Sequence, residues 1–227
     1  MIRPILTLRR KRVVIDVDTQ KDLFLAEGSA CIRNHRRVLA NLRRVMAWAR
    51  FRNIRIISTK VEHIEPQGEK NGCIAEADGR EKISYTTRHK RISFPADGST
   101  DLQREILRNY DQVVLEKRCP DPFKEPRIDR IFCELRADEF IVVGALMEES
   151  VKATVLGLLA RRKNVTLLAD AVGYHSKSAA DVALRQMEAK GAKIAEIKSL
   201  VGPSGLKLVG ACHCDRCRGK LQKTGSE

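Results

Sequence analysis

Short apolar runs alternate with amphipathic stretches along most of this chain. Val13-Val14-Ile15-Asp16-Val17 opens the series with the β-branched residues that suit a strand. Further runs at 53–59, 113–116, 140–143, 165–168 and 192–195 read the same way. Between them, residues 32–52, 126–135, 151–162 and 179–190 carry helical periodicity. In the first of these, Leu39, Leu42, Val45, Met46 and Ala49 recur at steps of three and four, which places them on one face. Apolar strands separated by helices describe a sheet covered on both sides. The expectation is therefore an α/β fold, a three-layer, doubly wound, mostly parallel six-stranded sheet. Its crossovers are right-handed and its functional site lies at the carboxyl ends of the strands.

At 227 residues the chain suits one domain, assigned to 1–200, followed by a Cys-containing tail, 201–227. The domain is interrupted by an insertion at about 61–110, where Gly68, Gly72, Gly79 and Gly98 stand among many charges. A connection this long is read as a functional lid or a partly ordered insertion, with a short helix over 100–108. No run of about 18 apolar residues occurs, so a membrane span is excluded as an expectation. Residues 1–12 are basic and lead into a core strand instead of a secretory apolar stretch. Seven cysteines, scattered except near the end, require no disulfide framework, which fits a reducing, cytoplasmic location.

The charge is unevenly placed. Residues 1–60 hold 15 Lys and Arg against 4 Asp and Glu, whereas the rest holds 28 against 25, for a net charge of +14. Arg36, Arg43 and Arg50 lie seven apart and form one stripe of the 32–52 helix, with Arg33, Arg37 and Arg44 beside it. Such a face suits nucleic acid or another anionic partner, and equally suits a solvated helix surface. Only ten aromatic residues occur, so stacking platforms for single-stranded nucleic acid are scarce.

Three strand ends carry candidate chemistry. The first offers Asp16 and Asp18 within Asp16-Val17-Asp18-Thr19-Gln20-Lys21-Asp22-Leu23-Phe24. Alternation puts both carboxylates on one strand face, where one of a close pair could retain a proton. The third strand ends in Glu116-Lys117-Arg118-Cys119-Pro120-Asp121-Pro122-Phe123, placing Lys117 at its carboxyl end. The fourth is followed by Gly144-Ala145-Leu146-Met147-Glu148-Glu149-Ser150-Val151-Lys152-Ala153-Thr154, a turn that opens a helix.

These elements together resemble the isochorismatase-like cysteine hydrolases. The last turn is similar to that family's G-x-x-T-D-x-C-V-x-x-T, with Gly144, Val151 and Thr154 on the pattern. Met147, Glu148 and Ser150 stand at its Thr, Asp and Cys positions. Asp18, Gln20 and Asp22 match the family's D-x-Q-x-D-F, with Phe24 displaced by one. The resemblance implies Asp18 as the acid/base residue, Lys117 as its cationic partner and Ser150 at the nucleophile position. It implies substrate contacts from Gln20, Phe24, Phe123, Ala145 and Leu146, a cis Ala145–Leu146 peptide, and oxyanion donors from this turn. A serine needs a placed general base where a cysteine is readily activated, so the usual covalent chemistry is not implied. Glu148 and Glu149 are expected to bring negative charge to the pocket.

Metal-dependent relatives carry an Asp-x-His pair after the second strand. Here Val61 and His63 stand at those positions and His89 lies further on, so no metal and no cofactor are expected. Cys119 is a nearby thiol off the nucleophile position. Cys212, Cys214 and Cys217 form a tight C-x-C-x-x-C that lacks the second knuckle of a firm zinc motif.

Two functional readings stay open. One is a hydrolase of a small carboxylate, amide or vinyl-ether substrate that works without cysteine, through Asp18 and Lys117. The other is an inactive pseudoenzyme that binds nucleic acid or another anionic partner through its basic region. The resemblance further implies a homo-oligomer.

Overall fold

The computed structural model describes residues 10–62 and 76–201, and the side chains of 10, 11, 76 and 77 are not among those described. His63 and the cysteines at 212, 214 and 217 lie outside the described residues. Seven strands form one sheet: β1 (Arg10–Val17), β2 (Arg55–Val61), β3 (Arg91–Phe94), β4 (Gln112–Lys117), β5 (Ala137–Gly144), β6 (Val165–Val172) and β7 (Lys193–Ala195). Their order is β3-β4-β2-β1-β5-β6-β7, and each neighbouring pair is parallel.

The sheet has one strand more than the six expected, because the insertion contributes β3 at the edge, paired to β4 from Arg91 to Phe94. With charged or polar Arg91 and Ser93 facing out between Ile92 and Phe94, its four residues lack the apolar run that marks the inner strands. The helix expected over 100–108 is a single turn, Ile106–Asn109, introduced by Glu105 in the left-handed region at φ 55°. Elsewhere the elements sit where the pattern puts them: α1 (His35–Phe51), α2 (Pro126–Glu134), α3 (Lys152–Ala160) and α4 (Lys177–Ala189).

Alternation along the strands builds two cores. Val13, Ile15 and Val17 of β1 pack with Ile57, Val113, Leu115 and the apolar sides of α2, α3 and α4. Val14 packs on the other face with Ile56, Ile141 and Val143, beneath Val38, Leu42, Val45 and Met46 of α1. Asn34, before α1, donates to Val172 O at 3.0 Å and accepts from Tyr174 N at 3.2 Å, fixing the helix start to the end of β6. Among the described residues no helix is long and apolar enough to cross a membrane.

The chain leaves β1 towards β2 and later returns to its other side as β5, so strand order reverses around β1. In open parallel sheets, ligands bind outside the carboxyl ends of the strands at such a reversal.

Candidate active site

Asp18 follows the last residue of β1 and has φ 47°, a left-handed conformation uncommon outside glycine. That rotation changes which side its carboxylate serves. Oδ1 accepts from Thr59 Oγ1 at 2.6 Å and Oδ2 meets Lys117 Nζ at 2.8 Å. Thr59 and Lys117 continue the alternation of Ile57 and Leu115, on the face of the first core.

Asp16 keeps its regular strand position and points to the opposite core. Its Oδ2 accepts from Ser58 Oγ at 2.8 Å and from Lys82 Nζ at 3.0 Å. The expected same-face pair of carboxylates is thus corrected, since the positive φ of Asp18 separates it from Asp16 and each acid has its own lysine. Gln112 extends the second network by donating to Ser58 Oγ at 2.7 Å and to Thr86 O at 2.9 Å.

Lys117 is fully buried, and its ammonium is surrounded by oxygen. Besides Asp18 it donates to Ser150 Oγ at 3.1 Å, Cys119 O at 3.1 Å and Pro120 O at 3.0 Å. The loop supplying those carbonyls is closed by Arg118 and Glu125, joined through Nε to Oε1 at 2.9 Å and Nη2 to Oε2 at 3.0 Å. This contact holds the Glu125 carboxyl below its ordinary range, with the Arg118 hydrogen bond the largest cause. The Cys119 thiol is directed to Asp121 O, 3.3 Å away, while only the backbone of Cys119 serves Lys117.

Gly144 ends β5 at φ 125°, and a Cβ there would lie 1.9 Å from Val17 O. Glycine is required because β1 and β5 close on each other at this point, with Ala145 N donating to Val17 O at 2.9 Å. The Ala145–Leu146 peptide is cis, as the resemblance implies. Met147 N is used by Gly173 O at 2.8 Å, whereas Leu146 N–H has no acceptor among the described residues. A turn of π-helix, Met147–Val151, then carries Ser150 against Lys117, and Thr154 Oγ1 donates to Ser150 O at 2.6 Å.

The remaining expected contacts divide. Gln20 is buried and its amide is consumed by the backbone: Nε2 donates to Val61 O and Arg80 O, and Oε1 accepts from Val61 N. Phe24 is buried in the α1-side core, away from the Lys117 side. Phe123 packs on Phe132 and under Arg161, whose guanidinium carbon is 3.8 Å from the ring centroid. Ala145 and Leu146 lie at the turn itself. Glu148 is half-buried, with Oε1 accepting from His175 N at 2.8 Å and Ser176 N at 2.9 Å and Oε2 buried without a partner among the described residues, while Glu149 is exposed. His89 is exposed, and no cluster of metal-ligating side chains occurs among the described residues.

Sequence reasoning passed over Thr59, Lys82 and Glu125. Thr59 had a usable signal, its place at the carboxyl end of a strand, whereas Lys82 and Glu125 come from loops whose paths no local pattern gives.

The fold, the strand-end carboxylate and the buried lysine agree with a match to the isochorismatase domain model over residues 12–199. The chain belongs to the isochorismatase family. Solved structures share the fold. An isochorismatase-like hydrolase from Alkaliphilus metalliredigens is 15% identical with a TM-score of 0.65, covering 85% of this chain and 95% of that one. A pyrazinamidase of Pyrococcus horikoshii in complex with zinc is 19% identical with a TM-score of 0.62, covering 82% and 99%. The MAR1 ribonuclease from Caenorhabditis elegans is 18% identical with a TM-score of 0.58, covering 98% of this chain and 90% of that one. No curated protein matches the sequence significantly.

Proposed function

We propose that this isochorismatase-family protein is a hydrolase of a small carboxylate, amide or vinyl-ether substrate that works without a thiol, with Ser150 in place of the family's cysteine. The observation that carries the reading is the bridge by Lys117 Nζ, 2.8 Å from Asp18 Oδ2 and 3.1 Å from Ser150 Oγ. It joins three strand ends into one cluster at the reversal of the sheet.

The hydrogen-bond directions distribute the roles. All contacts of Lys117 Nζ are oxygen acceptors, so this lysine is a donor that orients the cluster. Ser150 Oγ accepts from it and keeps its own proton to offer outward. The Asp18 oxygens already hold Thr59 and Lys117, and among the described residues neither hydrogen-bonds to Ser150. Without a base in contact, the serine is read as a ligand for substrate or water. Asp18 is the group that carries a proton to or from the substrate as water adds. Leu146 N–H is an amide of the turn free to receive developing negative charge.

Thermal denaturation of wild type and Asp18→Asn against small carboxylates, amides and nucleotides tests the proposal. A ligand that binds only the folded state raises the midpoint by mass action. An increment seen in wild type and lost in the variant supports a working Asp18 site and gives the substrate class. Absence of any increment favours a catalytically silent family member. With a substrate in hand, Asp18→Asn should abolish turnover and Ser150→Ala should leave much of it, whereas equal losses would make Ser150 the nucleophile.

A further inference from the structure

The outer face of α1 has a composition that the cluster at the strand ends does not use. Val38, Leu42, Val45, Met46 and Trp48 are spent on the sheet, and the opposite side carries Arg36, Arg37, Arg43, Arg44 and Arg50, all exposed. At 100° per residue, Arg36, Arg43 and Arg50 form one row and Arg37 and Arg44 another, with Ala40 and Ala47 between them. The side chains therefore border a shallow strip floored by small residues. From Arg36 to Arg50 the strip is about 21 Å long, at 1.5 Å per residue.

This charge is not neutralised within the fold. Helix α1 contains no acidic residue, and among the described residues none of these five arginines has a carboxylate within ion-pair distance. Arg43 lies over the Tyr85 ring with 5.0 Å to its centroid, and Arg50 donates to Tyr85 O at 3.0 Å, so both are held in place without being paired. The positive surface continues onto Arg88, whose Nε is buried with no hydrogen-bond partner among the described residues. Burial, then the nearby charges of Arg50 and Arg55, lower the Arg88 pKa to about 10. Among the described residues, negative charge approaches this surface at Asp170 and Glu196, which lie in the field of Arg37, and at Asp111, which lies near Arg88.

We infer that the outer face of α1, continued by Arg88, binds the phosphate backbone of nucleic acid without reading its sequence. The helix uses arginine and no lysine, and guanidinium forks suit paired phosphate oxygens. A duplex strand presents a phosphate every 3.4 Å or so along its axis, so a strip of this length spans about six. Phe51 is the only large exposed apolar side chain of the helix, with the Arg52 guanidinium 5.7 Å from its ring centroid, and a single aromatic makes no apolar stripe to enter a bilayer. The face lies on the other side of the sheet from Lys117 and Ser150, so the inference stands independently of the proposed hydrolysis.

The test is fluorescence anisotropy with a short labelled RNA duplex and its DNA counterpart over about 50 to about 200 mM salt. The proteins are the full chain, Arg36→Gln/Arg43→Gln/Arg50→Gln, and a control, Arg104→Gln/Arg108→Gln/Arg136→Gln, that removes equal exposed charge elsewhere. Wild type should lose affinity steeply with salt. The α1 variant should bind at least about tenfold more weakly, with a log–log salt slope shallower by about 2 to 3. The control should bind like wild type, and unchanged melting midpoints keep folding out of the comparison. Equal losses in both variants would reduce the effect to net charge and overturn the inference. So would salt-independent binding, or capture by phosphatidylserine vesicles with no binding to either duplex.

Discussion

Lys117 Nζ stands 2.8 Å from Asp18 Oδ2, and both side chains are closed to solvent, at 0% and 1% exposure. Removing one member of such a pair leaves a buried charge with hydrogen bonds to neutral groups but no counter-charge in contact. Lys117→Met is expected to cost about 3–5 kcal/mol, read by denaturant unfolding. The double variant Lys117→Met/Asp18→Asn should recover a substantial part of that loss. A single variant costing less than about 1 kcal/mol would show that the pair is not closed in solution.

Ser150→Cys would place a thiol where Lys117 now donates to the serine oxygen. A cation at that distance favours thiolate, so the introduced cysteine should be alkylated by iodoacetamide well below the ordinary thiol pKa of about 8.5. Peptide mass mapping separates it from the seven native cysteines, among them half-buried Cys31 and Cys119 and exposed Cys133. Lys117→Met in the same background should return the reaction to ordinary pH dependence.

Gly144→Ala tests the closure of β1 on β5. The added Cβ would meet a backbone oxygen at 1.9 Å, in a region of φ that L residues rarely adopt. Neither strand can give way without losing its ladder, so the loss should exceed about 3 kcal/mol or abolish soluble expression. Gly98→Ala is the matched comparison. It also has positive φ, at 74°, but with nothing near the new atom, and it should cost much less in the same unfolding experiment.

Glu125→Gln tests the loop that encloses Lys117. The folded-state pKa of Glu125 is depressed, so the stabilisation is fully present above the ordinary glutamate value of 4.5 and is lost as pH falls through the lower folded value. The variant should melt below wild type at pH 7, and the two curves should converge only in acid well under pH 4.5. A difference that persists unchanged to low pH would assign the effect to packing instead of charge.

The alternation of apolar runs and helices made the layers and inner strands legible, because strands buried on both sides advertise themselves. Asp18, Lys117 and Ser150 were readable for a related reason: each sits just past an apolar strand, and parallel topology brings such ends together. The edge strand β3 was not readable, since half of its side chains face solvent and it needs β4 as a template. Nor was the separation of Asp16 from Asp18, because alternation assumes an extended backbone and Asp18 leaves that region. Glu148 shows a further limit. Its sequence neighbourhood suggested the pocket but not that its Oε1 would accept from two backbone donors in the loop after β6.

The pairing of Lys82 with Asp16 bears on how this domain tolerates change. Lys82 belongs to the insertion, yet its Nζ meets Asp16 at 3.0 Å and Thr59 O at 3.1 Å, both inside the sheet. The insertion is therefore not a detachable ornament. A shortened or foreign loop spliced between β2 and β3 would have to restore a cation at that point, or be accompanied by a neutral residue at position 16. Changes in this segment should consequently arise in compensated pairs, which ties its divergence to a strand far from it in sequence.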